Sequence, residues 1–254
     1  MNTVQTNVYH ITYSREFEIC FLFFWGCNLK CRICLLKKEA YDCHLPENRL
    51  RIYEPDYRSK RPTTFLPLPE LFNLLSQLNI KKTFLMGAEP ACNPALPDIV
   101  NYLTSEKESK ISLLTNGKEL PPLSPLDEIV FSIKAITPAL HRDYTGFDNT
   151  DIVKNFKTVA GFEKISLYAE TVFIPDYVDE KEVIKIAEFI ASVDKSIPFR
   201  IDAYVPVENL PWRAAGVNEI ESLAEKVRRI LPKTTCFYGD RGNIPLAYEV
   251  ERVF

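Results

Sequence analysis

The sequence predicts an α/β fold in which parallel strands are joined by crossover helices. Short runs rich in β-branched and aromatic residues alternate along the chain with longer stretches of helical period. This alternation is typical of a parallel sheet, because two parallel strands need a long connection between them, usually a helix. The length of 254 residues, with 46% apolar and 26% charged residues, fits one soluble globular domain or at most two small ones.

Six strands and three amphipathic helices are predicted in order along the chain. The predicted strands are residues 18–24, 82–86, 111–114, 129–133, 165–173 and 199–205. Apolar residues recur at helical spacing around residues 71–78, 183–190 and 220–231, which predicts helices that pack on the sheet. Pro67 and Pro69 stand where the first of these helices begins, and Pro232 follows the last. Six strands are fewer than the eight of a closed α/β barrel.

Residues 37–64 separate the first predicted strand from the first predicted helix. They are charged, rich in tyrosine and dotted with proline, which predicts an elaborated surface loop or lid. We expect residues 1–206 to form the core of the domain. Residues 207–254 would add a C-terminal helix and a cap to the same domain.

Charge and hydropathy bear on compartment and partners. The net charge of −3 gives no general attraction to nucleic acid, which we do not expect as a partner. The N-terminus lacks the pattern of a secretory signal, and the most apolar run, residues 19–25, is far shorter than the about 20 residues of a membrane span. We therefore expect a cytoplasmic protein without membrane contact, in a reducing compartment where clustered thiols bind metals or take part in redox chemistry.

Three of the seven cysteines crowd together directly after the first predicted strand. They are Cys27, Cys31 and Cys34, separated by three and then two residues. This spacing lets one short loop wrap a single iron–sulfur cluster, and a four-iron cluster normally takes four thiolates. Three local ligands would leave one iron open to bind another molecule, as in open catalytic metal sites.

The other cysteines are weaker candidates for a fourth ligand. Cys20 lies inside the first strand and is predicted to be a core residue, while Cys92 and Cys236 are isolated in the sequence. Cys43, beside His44, is the one tempting spare. A zinc site built from the three clustered cysteines and His44 is the alternative, since zinc readily takes three cysteines and one histidine. The spacing alone favours iron–sulfur.

The cysteine loop and further motifs at predicted strand ends resemble the radical S-adenosylmethionine (SAM) enzymes, whose fold is a partial α/β barrel. Met-Gly-Ala-Glu-Pro at 86–90 is similar to the family's Gly-Gly-Glu-Pro segment, and Thr-Asn-Gly at 115–117 occurs in many members. Phe-Ser-Ile-Lys-Ala at 131–135 and His-Arg-Asp-Tyr-Thr-Gly at 141–146 resemble the glycyl-radical-enzyme activating enzymes, including those of pyruvate formate-lyase. Thr-Val-Phe-Ile-Pro at 171–175 is close to their fifth-strand Val-Ile-Pro-Gly. The resemblance spans about residues 18–206.

This resemblance implies a partial (β/α)6 barrel with helices outside, a cluster loop after the first strand, and two cofactors. One four-iron four-sulfur cluster would be held by Cys27, Cys31 and Cys34, with SAM on the remaining iron. Glu89 would receive the amino group of SAM, Lys134 would face its carboxylate or ribose, and the backbone of Ile33 would meet adenine. The cofactor-binding residues implied in full are Ile33, Gly87, Ala88, Glu89, Asn116, Ser132, Lys134 and Val172. Asn116 also fits a role in shaping the turn before Gly117. No catalytic residue is implied.

The resemblance to the activating enzymes has departures. Ala88 replaces a glycine, Ser132 stands where those enzymes have an aspartate, and their Tyr-His segment on the sixth strand has no match. We therefore expect reductive cleavage of SAM for hydrogen abstraction under anaerobic conditions. The expected reaction is activation of a glycyl-radical enzyme, and the alternative is action on a small molecule or another substrate that is not a glycyl-radical enzyme. The expected partners are a flavodoxin- or ferredoxin-like electron donor and a glycyl-radical protein. A non-catalytic, metal-stabilised binding module is the further alternative.

Overall fold

The structure, a computed structural model, describes residues 4–38, 42, 44–49, 61–207, 210–238 and 248–254. Its strands are β1 (Val8–Ser14), β2 (Ile19–Phe24), β3 (Lys82–Gly87), β4 (Lys110–Thr115), β5 (Glu128–Ser132), β6 (Ser166–Phe173), β7 (Phe199–Ala203), β8 (Thr234–Phe237) and β9 (Glu251–Arg252). Its helices are α1 (Pro46–Arg49), α2 (Leu68–Ser76), α3 (Leu96–Ser105), α4 (Pro138–Thr145), α5 (Thr150–Ala160), α6 (Glu180–Val193) and α7 (Val217–Arg228). Short 3₁₀ turns cover Leu35–Lys38 and Pro90–Cys92.

These strands form one sheet in the order β8-β7-β6-β5-β4-β3-β2-β1-β9. Every neighbouring pair from β2 to β8 is parallel, whereas β1 pairs antiparallel with both β2 and β9. The two ends of the sheet do not pair in the described part of the chain, so the architecture is an open, partial α/β barrel. The predicted fold class is confirmed. The six predicted strands correspond to β2–β7, and the structure adds β8 at one edge and the pair β1 and β9 at the other.

The main hydrophobic core lies between the sheet and its helices. Along β2, Cys20, Leu22 and Phe24 face this core, together with the apolar stripes of α2, α3, α5, α6 and α7. Phe21 and Phe23 face the opposite side, where they join a smaller cluster with Tyr9. The alternation along β2 therefore separates a helix-covered face from a second face that is covered by the smaller cluster. No helix in the described ranges is both long and apolar enough to cross a membrane.

Part of the predicted loop at 37–64 is packed against β1. Asp42 is only 1% exposed, and its carboxylate accepts a hydrogen bond from Thr12 Oγ1 (2.8 Å). The same carboxylate contacts His10 Nε2 at 3.2 Å and His44 Nδ1 at 2.9 Å. Cys43 and residues 50–60 lie outside the described residues, so the predicted lid and the spare thiol stay predictions.

Candidate functional site

The loop that carries Cys27, Cys31 and Cys34 follows β2 and docks on the end of α4. The backbone N–H groups of Lys30 and Arg32 donate to the carbonyls of Thr145 and Tyr144, both at 2.9 Å. Carbonyls in the last turn of a helix have no partner within the helix, so they are available to a neighbouring segment. The end of α4 therefore positions the cysteine loop, which gives the segment at 141–146 a physical role.

The three cysteine side chains face one another closely enough to interact electrostatically. Burial raises the pKa of Cys27 and raises the pKa of Cys31 to about 11, and the Cys34 thiol raises both further. Without a cation the thiols of Cys27 and Cys31 stay protonated at neutral pH, whereas a bound metal removes the proton from a coordinating thiol. Two amides already donate to the Cys27 sulfur: the Leu29 backbone N–H at 3.4 Å and the Asn116 side chain at 3.5 Å. Such donors stabilise a thiolate ligand.

The donor groups around the loop fit an iron–sulfur cluster. The buried hydroxyl of Tyr9 and the side-chain nitrogen of Asn28 have no hydrogen-bond partner among the described residues. Tyr9 lies within electrostatic range of Cys34, and Asn28 directly follows Cys27. Unpaired buried donors need acceptors, which cluster sulfides provide. A three-thiol set with amide and hydroxyl donors around it therefore matches the cluster implied by the sequence.

The zinc alternative needs His44 beside the three cysteines. No group of three or more His, Cys, Asp and Glu side chains is arranged to hold a metal ion in the described residues, so the observation that bears on zinc is the position of His44. His44 is bonded to Asp42 and its ring packs on Phe21, with the ring centroids 4.4 Å apart. The imidazole is thus part of the contact between the loop and β2.

Glu89 provides a buried negative charge next to the cysteine loop. It is 1% exposed, and its carboxylate accepts hydrogen bonds from Thr115 Oγ1 (2.8 Å), Asn116 N–H (2.7 Å) and Ala91 N–H (3.2 Å). Burial raises the pKa of Glu89 to about 6, against the lowering effect of these hydrogen bonds and of Lys134. The carboxylate is therefore mostly ionised at pH 7, but at a cost that a bound cation would relieve.

The backbone of Gly87 and Ala88 holds Glu89 against the start of the cysteine loop. The Ala88 N–H donates to the Phe24 carbonyl (2.8 Å), and the Glu89 N–H donates to the Gly26 carbonyl (3.0 Å). Gly87 has a φ of +105°, and a Cβ there would lie 2.7 Å from the Phe24 oxygen. Only glycine fits this position, whereas the methyl group of Ala88 is accommodated.

Asn116 joins the turn after β4 to the cysteine loop. Its side-chain amide donates to Asn28 Oδ1 (2.9 Å) as well as to Cys27, and its Oδ1 accepts from the Lys118 N–H (2.9 Å). The side chain therefore shapes the turn, as the sequence suggests, and also reaches a predicted cluster ligand. Ile33 is 7% exposed and packs in the main core, which leaves its backbone as the part that can meet a ligand.

Lys134 is a half-buried cation two residues beyond β5. Its charge acts on the pKa of Cys27, Cys31, Glu89 and Asp202, so it lies among them. It has no ion-pair or hydrogen-bond partner in the described part of the chain. An unpaired cation in this position is available to a negatively charged ligand group.

Glu182 fixes the segment that follows Lys134. Its carboxylate, 3% exposed, accepts the backbone N–H groups of Ile136 and Thr137, both at 2.7 Å. It also accepts the Thr137 hydroxyl at 2.6 Å. Because Glu182 belongs to α6, this helix contributes to the placement of Lys134.

A charged row crosses β5, β6 and β7 on the face that the helices do not cover. Ser132, Glu170 and Arg200 stand side by side in register, and the Ser132 hydroxyl donates to the Glu170 carboxylate. Arg200 donates to Glu170 at 2.6 Å and to both oxygens of Asp202 at 2.7 and 3.0 Å. Burial raises the pKa of Asp202, with Glu170 adding to the rise. Val172, half-buried, pairs with Asp202 in the register.

Sequence patterns predict only part of this arrangement. Ser132 and Val172 were expected at the cofactor, whereas Glu170, Arg200 and Asp202 belong to no motif. A polar residue at every second position of two adjacent strands, at 170, 200 and 202, is the signal that points to them. Cys92, isolated in the sequence, also lies near the site, because burial raises the pKa of its thiol to about 11 and the charges of Glu89 and Cys27 add to the rise.

A family model described as the radical SAM superfamily matches residues 22–190, well over half of the chain. The chain belongs to the radical SAM superfamily. It is therefore an enzyme that uses a four-iron four-sulfur cluster and SAM, as the sequence motifs imply. Membership counts against the alternative of a non-catalytic binding module.

Curated relatives of this radical SAM enzyme include proteins named as activating enzymes. A Methanocaldococcus jannaschii protein with the provisional name glycyl-radical enzyme activating enzyme is 26% identical over 195 residues, 73% of this chain and 67% of its own. The pyruvate formate-lyase-activating enzyme of Staphylococcus aureus is 30% identical over 122 residues, 47% of this chain and 48% of its own. A Methanococcus maripaludis protein provisionally named GTP 3',8-cyclase is 27% identical over 134 residues, 50% of this chain and 40% of its own.

Solved structures share the fold at low sequence identity. Streptococcus suis SuiB bound to S-adenosylmethionine superposes with a TM-score of 0.62 at 15% identity, covering 84% of this chain and 48% of SuiB. A radical SAM methyltransferase from Sphaerobacter thermophilus gives 0.59 at 14% identity, covering 86% of this chain and 66% of its own. The chain thus spans about half the length of several of the proteins that it matches.

Proposed function

We propose that this radical SAM enzyme holds its cluster through Cys27, Cys31 and Cys34 and binds SAM between Glu89 and Lys134. One observation carries the proposal: the buried carboxylate of Glu89 and the unpaired ammonium of Lys134 both lie within electrostatic range of Cys27 in the cysteine loop. The methionyl end of SAM carries an ammonium and a carboxylate, which these two charges complement.

When bound, the cluster and SAM supply reductive cleavage of SAM to methionine and a deoxyadenosyl radical that abstracts hydrogen. Glu89 accepts hydrogen bonds from the ammonium of SAM, and Lys134 donates to its carboxylate. The backbone at Gly87 and Ala88 approaches the ligand closely, and Asn116 stabilises the Cys27 thiolate. The backbone of Ile33 would meet adenine, and Ser132 and Val172 complete the proposed set of cofactor-binding residues.

The first candidate substrate is a glycine residue of a partner protein. The motifs at 131–135 and 141–146 and the names of two relatives support it. In this proposal a flavodoxin- or ferredoxin-like protein supplies the electron, and the enzyme acts in a reducing cytoplasm where its free thiols persist.

The second candidate substrate is a small polar molecule, which the row at Glu170, Arg200 and Asp202 favours. Glu170 and Asp202 are half-buried carboxylates beside one guanidinium, at the carboxyl ends of β6 and β7. Active sites of parallel α/β folds collect at these ends. A charged row there offers more to a ligand with hydrogen-bond donors than to a neutral glycine loop.

The test of SAM binding uses anaerobically reconstituted enzyme. Dithionite-reduced protein should release deoxyadenosine from SAM, and Cys31→Ala should abolish this release. Lys134→Ala should weaken SAM binding about tenfold or more while iron content stays intact, as expected for loss of a charge-assisted hydrogen bond. Lys164→Ala, an exposed lysine just before β6, is the matched control. Unchanged SAM affinity in Lys134→Ala would remove Lys134 from the site.

The test of the substrate uses a glycyl-radical protein encoded beside this gene. Incubation with reduced enzyme and SAM should produce a glycyl-radical doublet in the electron paramagnetic resonance (EPR) spectrum. If SAM is cleaved but no doublet forms, the first candidate substrate is wrong and the second is favoured.

A further inference from the structure

Arg32, one of the two residues between the second and third cysteines, contacts three other side chains, so that four side chains form one group. They are Arg32 in the cysteine loop, Asp143 in α4, Tyr177 in the turn after β6, and Trp212 in the segment before α7. We call this group the Arg32 clasp. It brings four separate segments of the chain together on the outside of the cysteine loop.

The geometry of the clasp is that of a guanidinium held by both charge and ring faces. Arg32 Nη1 donates to Asp143 Oδ2 at 2.8 Å, and the Tyr177 hydroxyl donates to the same oxygen at 2.6 Å. The rings of Tyr177 and Trp212 stack with centroids 4.1 Å apart. The guanidinium carbon lies 5.2 Å from the Trp212 ring and 6.0 Å from the Tyr177 ring.

The ion pair between Arg32 and Asp143, taken alone, would add little to the stability of the contact. The side chains of Arg32 and Asp143 are 45% and 54% exposed, and isolated pairs of this kind contribute little to stability. The planar guanidinium on two stacked rings adds a cation–π contact that lysine reproduces poorly. Tyr177 also binds the same Asp143 oxygen, so the partners hold one another in place.

Arg32 lies between two of the cysteines that are proposed to hold the cluster. Cys31 directly precedes Arg32, and Cys34 follows two residues later. The Arg32 N–H already donates to the Tyr144 carbonyl, so backbone and side chain tie this residue to the same helix end. Both anchors act on the stretch that must present two thiolates at once.

We propose that Arg32 is a positioning residue whose clasp keeps Cys31 and Cys34 in the geometry that retains the cluster. The proposal rests on the assignment of the three cysteines as cluster ligands under Proposed function. It assigns Trp212, from the C-terminal part of the chain, an indirect role in holding iron.

The test measures the rate of iron transfer from reconstituted holoenzyme to a ferrous chelator under anaerobic conditions. Arg32→Ala should release iron about tenfold faster than wild type, which corresponds to about 1.4 kcal/mol. Trp212→Ala should release it several-fold faster, and Arg32→Lys should lie between wild type and Arg32→Ala. Arg15→Ala is the matched control, because Arg15 is exposed and pairs with Glu251 at 2.6 Å beside the start of β2, at the opposite end of that strand from the cysteine loop.

Two further measurements separate positioning from general stability. The melting temperature of the iron-free Arg32→Ala protein should match wild type, while the EPR spectrum of its reduced cluster should change. The positioning role of Arg32 would be refuted if Arg32→Ala and Trp212→Ala released iron at the wild-type rate. It would also be refuted if the faster release of iron were matched by an equal loss of stability in the iron-free protein. A cluster retained in Cys31→Ala would instead refute the ligand assignment itself.

Discussion

Replacing Glu89 by glutamine should weaken SAM binding and abolish its dependence on pH between 5 and 7. The carboxylate is buried and ionises with a pKa raised from 4.5 to about 6, which corresponds to about 2 kcal/mol of ionisation cost. The ammonium of SAM would offset this cost, because the hydrogen bonds that Glu89 accepts in the described part of the chain all come from uncharged donors. Replacing the charged carboxylate of Glu89 by a neutral amide should therefore weaken SAM binding by about 1.5–3 kcal/mol, or a factor of about 10 to 150 in the affinity for SAM.

The pH dependence follows from the direction of the shift. A carboxyl group with a pKa of about 6 is about 90% ionised at pH 7 and about 10% ionised at pH 5. Only the ionised form accepts the ammonium, so the apparent affinity falls with the ionised fraction. The wild-type enzyme should therefore bind SAM about tenfold more weakly at pH 5 than at pH 7. An α-amino group stays protonated over this range, so SAM itself adds little to the change.

The assay is equilibrium binding of SAM to anaerobically reconstituted, unreduced protein, with iron content measured at each pH. Glu225→Gln, an exposed residue of α7, is the control for removal of one negative charge. It should keep both the affinity and the pH profile of wild type. A Glu89→Gln protein that retains the wild-type profile would refute the reasoning, because the titrating group would then lie elsewhere.

Three further substitutions, the first with a matched control at Ala88, test how the site is held. Gly87→Ala should lower the free energy of unfolding of the iron-free protein, measured in urea, by about 2–4 kcal/mol. The reason is that the added Cβ would lie 2.7 Å from the Phe24 oxygen. The control, Ala88→Gly, should lower the free energy of unfolding by less than about 1 kcal/mol. Asn116→Ala should make the reduction potential of the cluster more negative in a redox titration, since it removes a donor to Cys27; an unchanged potential would contradict this role. Glu182→Gln should weaken SAM binding several-fold by loosening the segment after Lys134, and equal affinity would show that α6 does not position this lysine.

Much of the fold follows from local sequence pattern. The strands that correspond to β2–β7 were predicted within one or two residues at most ends, because buried parallel strands appear as continuous apolar runs. β1 was missed since its apolar residues alternate with His10, Thr12 and Ser14, which are nevertheless buried. Their burial depends on contacts such as that between Thr12 and Asp42, 30 residues away, which no local pattern contains. β8 and β9 are short, at four and two residues, and carry little signal.

The candidate site likewise contains residues that the sequence predicts and residues that only the fold reveals. Residues in contiguous motifs, such as Gly87 with Glu89, were identified because their spacing along the chain fixes their spacing at one strand end. Arg32 with Trp212 could not be paired from the sequence, because 180 residues separate them and neither position has a periodic partner. Cys92 shows the same limit: only the fold brings its thiol within electrostatic range of Glu89 and Cys27.

The departure at Ser132 relocates a charge within the site. The activating enzymes that the sequence resembles have an aspartate at this position, so a serine there suggests a lost carboxylate. In the structure Glu170 stands beside Ser132 in the register of β5 and β6 and accepts its hydroxyl. The carboxylate is therefore present one strand further along, where Arg200 holds its other oxygen. Negative charge is therefore kept at this level of the sheet but lies on β6, beside Arg200 of β7, and not on β5. The small-molecule substrate proposed above, which the same row of side chains favours, would meet this charge on the β7 side of Ser132.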